Sequence, residues 1–305
     1  MNQKILVPLF LVALVGAGCA GSTSTPNPKP TDQKTTLAPI TVGDEHATSQ
    51  HIAKAAGTRV DLKNRHSFKP GDVHISFKLY GEDGHLFGSN DLKIEHDKKL
   101  HLIIVRDDMT RFQHIHPEFT DGLWSVKMNI AKQGAYQMYV DIAPIEEAPS
   151  VLRVPFTVGG ETVDVATPQP NHDRSAMDAG YKVMLIADQP FRTKESKRWT
   201  FSLTKDGQPA QNIQPYLSAF GHVVELRHTD ADDFFHVHPI TETQPTDGTV
   251  VFEGTFPTKG RYTLYAQFNI GGMVRTFPIT VDVSEEGVAP VDNTHGDTTV
   301  KGHGE

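Results

Sequence analysis

Six histidines occur in two short stretches of the chain, and their spacing is nearly the same in both. The first stretch reads HLIIVRDDMTRFQHIHP and the second reads HVVELRHTDADDFFHVHP. In each, a lone histidine precedes a His-x-His-Pro motif, by 13 residues in the first copy and 14 in the second. The six residues are His101, His114 and His116, and His222, His236 and His238. Imidazole nitrogen is a ligand for Cu(II), Zn(II) and Ni(II), so this pattern indicates metal binding more than catalytic turnover.

Each stretch is predicted to fold as a β-hairpin that brings its three histidines together. With residues 107–110 at the turn of the first copy, Ile103 pairs with His114, and His101 pairs with His116. Cross-strand partners share a face of a sheet, and so do alternate residues of one strand. The three imidazoles therefore project to the same side. The second copy gives the same arrangement if its loop is one residue longer.

Copper is the first choice of metal for each cluster, and zinc is the alternative. The sequence has one cysteine, Cys19, so no thiolate is available in either copy and a blue-copper electron-transfer site is excluded. A fourth ligand is not obvious, and an open position filled by water would also fit. The candidates are His96, Met109, Glu118 and Met138 in the first half, and His228, Glu242 and Met273 in the second.

A structural role for the histidines is the competing hypothesis. Ile103, Val105 and Phe112 share the face with the histidines, so part of that face is expected to be core. In this case the protein is an interaction module that presents a surface to a protein partner. An enzyme is not predicted, because no nucleophile–base pair or carboxylate dyad recurs between the halves. His236, His238 and Glu242 match the spacing of a cupin metal site, but the later histidine of that pattern is missing.

The fold is predicted to be all-β, with two tandem antiparallel sandwiches of immunoglobulin-like or cupredoxin-like type. Short alternating segments separated by Gly, Pro and Asp turns fill residues 61–160 and again residues 181–284. Residues 161–180 read as a linker, and residues 285–305 as a disordered tail. Each copy is followed by Gly-x-Tyr-x-x-Tyr, whose tyrosines are expected in the core or at a tyrosine corner.

The N-terminal region predicts export and attachment to a membrane. Residues 1–18 read as a lipoprotein-type signal peptide, with a lysine, an apolar run and small residues before Cys19. Cleavage there would leave Cys19 as the lipid-bearing residue of a protein on the extracytoplasmic side of the cell membrane. Residues 19–60 are rich in Ser, Thr and Pro and are predicted to be a disordered tether. The net charge of −8, without a basic patch, argues against nucleic acid as a partner.

The motifs HIHP and HVHP, with their contexts FQHIHPEF and FFHVHPI and the strand GRYTLYAQF, resemble a group of bacterial secreted or lipid-anchored proteins. These proteins carry small β-sandwich domains related to YtkA-like and other copper-associated extracytoplasmic modules. The resemblance spans roughly both halves and lies at the level of motifs. It implies a metal-handling β-sandwich without an established enzyme activity, and its candidate ligands are the six histidines named above.

Overall fold

The structure is a computed structural model that describes residues 57–63, 66–159, 166, 168–187, 190–228 and 233–285. All of them belong to one compact unit. The predicted signal peptide, Cys19, and nearly all of the predicted tether and tail lie outside the described residues. Among the residues described, no helix has the length and apolar character needed to cross a membrane.

The first domain is a sandwich of two sheets. Its described strands are β1 Arg59–Leu62, β2 Ser67–Phe68, β3 Gly71–Tyr80, β4 Leu100–Arg106, β5 Phe112–Ile115, β6 Glu118–Thr120, β7 Leu123–Ile130, β8 Gly134–Ile142 and β9 Ser150–Val158. One sheet has the order β1-β3-β7-β6 and the other has the order β2-β9-β8-β4-β5; all neighbours are antiparallel except β2 and β9. A short 3-10 helix, Ser89–Asp91, precedes β4.

The second domain repeats this architecture. Its described strands are β10 Ser175–Asp178, β11 Tyr181–Ile186, β12 Lys197–Lys205, β13 Gln208–Pro209, β14 Ile213–Gln214, β15 His222–Arg227, β16 Phe234–Val237, β17 Thr249–Gly254, β18 Gly260–Ile270 and β19 Met273–Val283. One sheet contains β10, β11, β12, β13 and β17, and the other contains β14, β15, β16, β18 and β19. β10 falls inside the segment predicted as a linker and pairs antiparallel with β11.

Each sandwich has its own apolar core, built by the two-residue period of its strands. In β12, for example, Trp199, Phe201 and Leu203 alternate with more exposed residues and are fully buried. The first tyrosine of each Gly-x-Tyr-x-x-Tyr motif lies in these cores. The Tyr136 hydroxyl donates to the Lys132 carbonyl at 2.8 Å, and the Tyr262 hydroxyl contacts the Thr258 carbonyl at 3.0 Å. Both tyrosines therefore combine the predicted core position with a corner hydrogen bond.

A third apolar cluster lies between the two domains. Strand β4 is buried on both faces: Leu102 and Ile104 pack into the core of the first sandwich, whereas Ile103 and Val105 pack into this third cluster. On β15, Leu226 takes the same position from the second domain. The face that carries the histidines was expected to be partly core, and it is buried against the other domain instead of inside its own sandwich.

The interface between the domains has pseudo-two-fold symmetry. Phe112 of the first domain stacks on Tyr265 of the second with ring centroids 4.1 Å apart, and Tyr139 stacks on Phe234 at 5.0 Å. Phe112 and Phe234 occupy equivalent positions in the two domains, and so do Tyr139 and Tyr265. Each domain therefore contributes the same two rings to the contact, as expected for an isologous interface. The Tyr265 hydroxyl also donates to the Met109 carbonyl at 2.8 Å. Burial of these rings couples the two histidine-bearing sheets.

We expect Phe234→Ala to loosen the first domain, although the residue belongs to the second. The substitution removes the ring that stacks on Tyr139 and leaves a cavity between the domains, at a cost of about 3–5 kcal/mol. Amide hydrogen exchange of β4 and β5 should become faster. The matched control is Phe201→Ala, which empties space inside the second sandwich. Equal acceleration in both variants would contradict the proposed coupling.

Candidate metal centre

The first histidine cluster lies where β4 begins and β5 ends. Ile103 pairs with His114 across the two strands, which confirms the predicted register. His101 Nδ1 lies 3.0 Å from His114 Nε2 and 3.2 Å from His116 Nε2. The three rings therefore converge on one point from adjacent strands, and one ligand atom from each lies within 4.8 Å of the others.

The second cluster has the same construction on β15 and β16. Val224 pairs with His236, and the Arg227 amide donates to the Asp233 carbonyl at 3.2 Å, so the longer loop takes up the extra residue as predicted. His222 Nδ1 lies 3.2 Å from His236 Nε2. His238 completes a set in which one ligand atom per residue again lies within 4.8 Å of the others.

The lone histidine of each cluster has its tautomer fixed by the backbone. His101 Nε2 lies 3.0 Å from the Glu95 carbonyl oxygen, and His222 Nε2 lies 2.8 Å from that of Tyr216. A carbonyl oxygen only accepts hydrogen bonds, so each Nε2 carries the proton and donates it. In the neutral ring the lone pair is then on Nδ1, which points into the cluster.

The middle histidine of each cluster is held by a polar side chain of the other domain. His114 Nδ1 donates to Gln267 Oε1 at 2.8 Å, and the orientation of the Gln267 amide is fixed because its Nε2 donates to Thr276 Oγ1 at 3.1 Å. His236 Nδ1 lies 3.2 Å from Asp141 Oδ2. Outer hydrogen bonds of this kind orient metal-binding imidazoles in proteins.

These hydrogen bonds leave ring nitrogens facing one another without protons between them. In the neutral first cluster, His101 Nδ1 and His114 Nε2 both present lone pairs across 3.0 Å. Two nitrogens about 2.0–2.1 Å from one metal, at angles of about 90–110°, lie about 2.9–3.4 Å apart, which matches this spacing. In the second cluster, His238 Nε2 is buried and has no hydrogen-bond partner in the described part of the chain. The donor set therefore fits a metal ion.

Burial keeps the clustered imidazoles neutral. Burial is the largest cause, and together with the neighbouring imidazoles it lowers the pKa of His101 to about 4, that of His116 to about 3 and that of His238 to about 2. Burial is also the largest cause that holds the pKa values of the other three cluster histidines, His114, His222 and His236, well below the ordinary value. Neutral imidazole is the form that binds metals, so the nitrogens are available at neutral pH.

A cavity of about 270 Å³ lies beside both clusters. Its lining includes His101 of the first cluster, His236 and His238 of the second, and Asp141. Burial raises the pKa of the Asp141 carboxyl to about 7. His96, from the first domain, lies over the second cluster and stacks on His238 with ring centroids 3.4 Å apart. The cavity therefore leaves open space next to the candidate ligands of both domains.

Of the candidate fourth ligands, His96 lies beside a cluster, but the cluster belongs to the other domain. Met138 is buried in the core of the first sandwich, and Met109 lies in the apolar cluster between the domains. Met273 is exposed, and His228 contacts Thr263. The short distance from His96 to His238 arises from domain docking, which spacing along the chain does not reveal.

Sequence reasoning missed Asp141 and Gln267 as residues of the site. Asp141 pairs with His101 across β8 and β4, and Gln267 pairs with His222 across β18 and β15. Both residues lie two positions beyond the second tyrosine of the Gly-x-Tyr-x-x-Tyr motif. The repeated tyrosine motif could have indicated these two positions. It does so only once it is known that its strand pairs with the strand that carries the lone histidine.

Several solved structures show weak similarity to the chain. A mutant of Salmonella alpha-2-macroglobulin is 13% identical, with a TM-score of 0.24, over 78% of this chain and 15% of that one. Escherichia coli alpha-2-macroglobulin activated by porcine elastase is 14% identical, with a TM-score of 0.24, over 75% of this chain and 20% of that one. A bacterial ice-binding adhesin is 10% identical, with a TM-score of 0.22, over 75% of this chain and 64% of that one. These TM-scores are too low to support a shared fold or function.

No curated protein matches the chain. One family model, described as a domain of unknown function, DUF8832, matches residues 53–162 and again residues 175–285. The two matches correspond to the two sandwiches and together cover more than half of the sequence. The chain therefore belongs to the DUF8832 family and carries two tandem copies of its domain.

Proposed function

We propose that this protein binds transition-metal ions, one in each three-histidine cluster, and serves to buffer, sequester or deliver them. The observation that carries the proposal is the pair of lone-pair nitrogens in the first cluster, His101 Nδ1 and His114 Nε2, held 3.0 Å apart. Two neutral rings whose outer N–H groups are already engaged cannot hydrogen-bond to each other. A metal ion between them turns an unfavourable contact into two coordinate bonds.

Copper is the metal that we propose first, with zinc as the alternative. Among divalent first-row ions Cu(II) generally has the highest affinity for a given nitrogen site, and three imidazoles supply borderline ligands without a thiolate. The described residues of both clusters contain nitrogen ligands only. The proposal does not include an enzyme activity, because no nucleophile–base pair or carboxylate dyad recurs between the two halves of the sequence.

The proposal includes an extracytoplasmic location on the cell membrane. It is supported by the N-terminal sequence, in which an apolar run and small residues precede Cys19, the candidate for lipid attachment. The Ser-, Thr- and Pro-rich segment that follows would hold the two domains away from the bilayer. Metal ions entering or leaving the cell envelope would then reach the clusters.

The second candidate function is an interaction module in which the histidines are structural. It is favoured by the burial of both histidine faces against each other and by the bonds of His101 and His222 to backbone carbonyls. In this case the imidazoles fasten the two domains together and the outer surface binds a protein partner. Metal titration distinguishes the two functions.

We expect the purified protein to bind two equivalents of copper or zinc, and His116→Ala and His238→Ala to lose one equivalent each. Both substitutions remove a ligand at the less buried edge of a cluster, so the fold should survive. Metal content by mass spectrometry and affinity by chelator competition provide the measurements. The control is His85→Ala, an exposed residue outside both clusters. Absence of bound metal at micromolar supply, with the variants merely less stable, would favour the interaction module.

Metal loading should also stabilise the fold. A ligand that binds the native state alone adds about 2.7 kcal/mol to the free energy of unfolding at 100 times its dissociation constant. Two filled clusters should raise the unfolding temperature in thermal scans, and removal of metal with a chelator should reverse the rise. An unfolding temperature that does not respond to metal would contradict binding to the native clusters.

The free energy of unfolding of the metal-free protein should fall as the pH decreases from about 6.5 to 4. In this pH range the histidines of the unfolded chain bind protons, whereas the four buried histidines of the clusters stay neutral in the folded protein because burial lowers their pKa values; these are His101, His114, His222 and His236. Each of them lowers the free energy of unfolding by up to about 1.4 kcal/mol per pH unit. Asp141 and Glu225 act oppositely, because their pKa values are raised by burial. Four imidazoles outnumber two carboxyls, so destabilisation should prevail. Urea titrations across this range provide the check, and a flat profile would contradict it.

A further inference from the structure

The two clusters are not chemically equivalent, although the repeat makes them look alike. At matching positions of β8 and β18 the first domain has Asp141 and the second has Gln267, each paired with the lone histidine of its own domain. Each side chain reaches across the interface to the middle histidine of the other cluster. The second cluster therefore has a carboxylate behind His236, and the first has a neutral amide behind His114.

A carboxylate is the stronger partner for an imidazole that holds a metal ion. When a cation binds to His236 Nε2, the Nδ1–H becomes more acidic, and its hydrogen bond to a negatively charged oxygen strengthens more than a bond to an amide would. A bound dication favours the ionised form of Asp141. The carboxylate then supplies negative charge beside the buried ion, which reduces the cost of removing that ion from water. Gln267 provides orientation to His114 but no charge.

A second asymmetry lies in the turn before each lone histidine. Residues His96 and Asp97 have φ angles of 46° and 64°, and Leu217 and Ser218, in the equivalent turn, have 53° and 63°. The two turns touch, since Ser218 Oγ donates to Asp97 Oδ1 at 2.6 Å. The same backbone thus places an imidazole, His96, over the second cluster, whereas the second domain has an apolar leucine at the matching position.

The clusters are close enough for one ion to affect the other. The rings of His114 and His236 have centroids 5.2 Å apart, and those of His101 and His236 are also 5.2 Å apart. Two dications at such a buried interface repel each other, because the charges are screened less than in water. Filling of one cluster therefore lowers the affinity of its neighbour.

We propose that the second cluster is the higher-affinity metal site and fills first, and that it is shared between the domains. His222, His236 and His238 supply the ligand nitrogens, and Asp141 of the first domain is the positioning residue that tightens them. This inference rests on the proposed metal-binding function. It adds which cluster is preferred and which residue outside the repeated motif sets the preference.

The test is a copper(II) titration of the full chain, with each cluster isolated in turn. His116→Ala leaves the second cluster as the reporter, and His238→Ala leaves the first. In the His116→Ala background, Asp141→Asn should weaken copper binding about 10–100-fold, and Asp141→Glu should restore most of it. In the His238→Ala background, Asp141→Asn should have little effect. The copper hyperfine splitting in electron paramagnetic resonance should change in the first background alone.

A variant that should bind copper more tightly distinguishes a specific effect on the cluster from loss of folding. Gln267→Glu places a carboxylate behind His114 and should tighten the first cluster about 10-fold or more in the His238→Ala background. The matched control is Glu225→Gln, which removes a carboxyl that is 1% exposed from the face of β15 opposite the clusters and should leave copper affinity unchanged.

The outcomes separate the two proposals. If the unmodified protein binds two coppers with equal affinity, or if Asp141→Asn weakens both clusters alike, the inference about the second cluster is overturned and the metal-binding function stands. If the unmodified protein binds no copper or zinc, the metal-binding function fails, and the inference fails with it. Stepwise binding whose tighter step depends on Asp141 supports both.

Discussion

The arrangement of this protein depends on one constraint: β4 and β15 are buried on both faces. One face of each strand belongs to a sandwich core, and the other can leave water only by meeting its counterpart from the second domain. The two repeats satisfy this requirement mutually, through Phe112 on Tyr265 and Phe234 on Tyr139. Because the histidines share those faces, docking of the domains also determines the environment of every cluster nitrogen.

Burial removes the histidine nitrogens from water, and the residues at the contact between the domains replace the lost hydrogen bonds. Polar rings removed from water need hydrogen-bond partners, and the outer nitrogens of the lone and middle histidines find theirs in two carbonyls, a carboxylate and an amide. In the first cluster these partners leave lone pairs on His101 Nδ1 and His114 Nε2, which point towards each other. Under the proposed metal-binding function, the hydrogen bonds that stabilise the interface would also orient these nitrogens towards a cation.

The two DUF8832 domains form a pseudo-dimer within one chain. A few residues differ between the copies, and they change the chemical surroundings of the two histidine clusters. Asp141 and Gln267 occupy matching positions, as do His96 and Leu217. Asp141, Gln267 and His96 each contact a histidine of the other domain. In a dimer of identical subunits the two sites would have to be alike. A tandem chain can differentiate them by single substitutions without losing the packing that both require.

The sequence by itself determined the all-β class, the tandem repeat, the hairpin register and the convergence of each histidine triplet, because strand periodicity and turn length act locally. Only the tertiary structure decided that the two triplets face each other, that Asp141 and Gln267 cross between domains, and that His96 covers the cluster of the other domain. These contacts join residues about 95–153 positions apart along the chain. Alternation within a strand tells which residues share a face, but not which surface that face will meet.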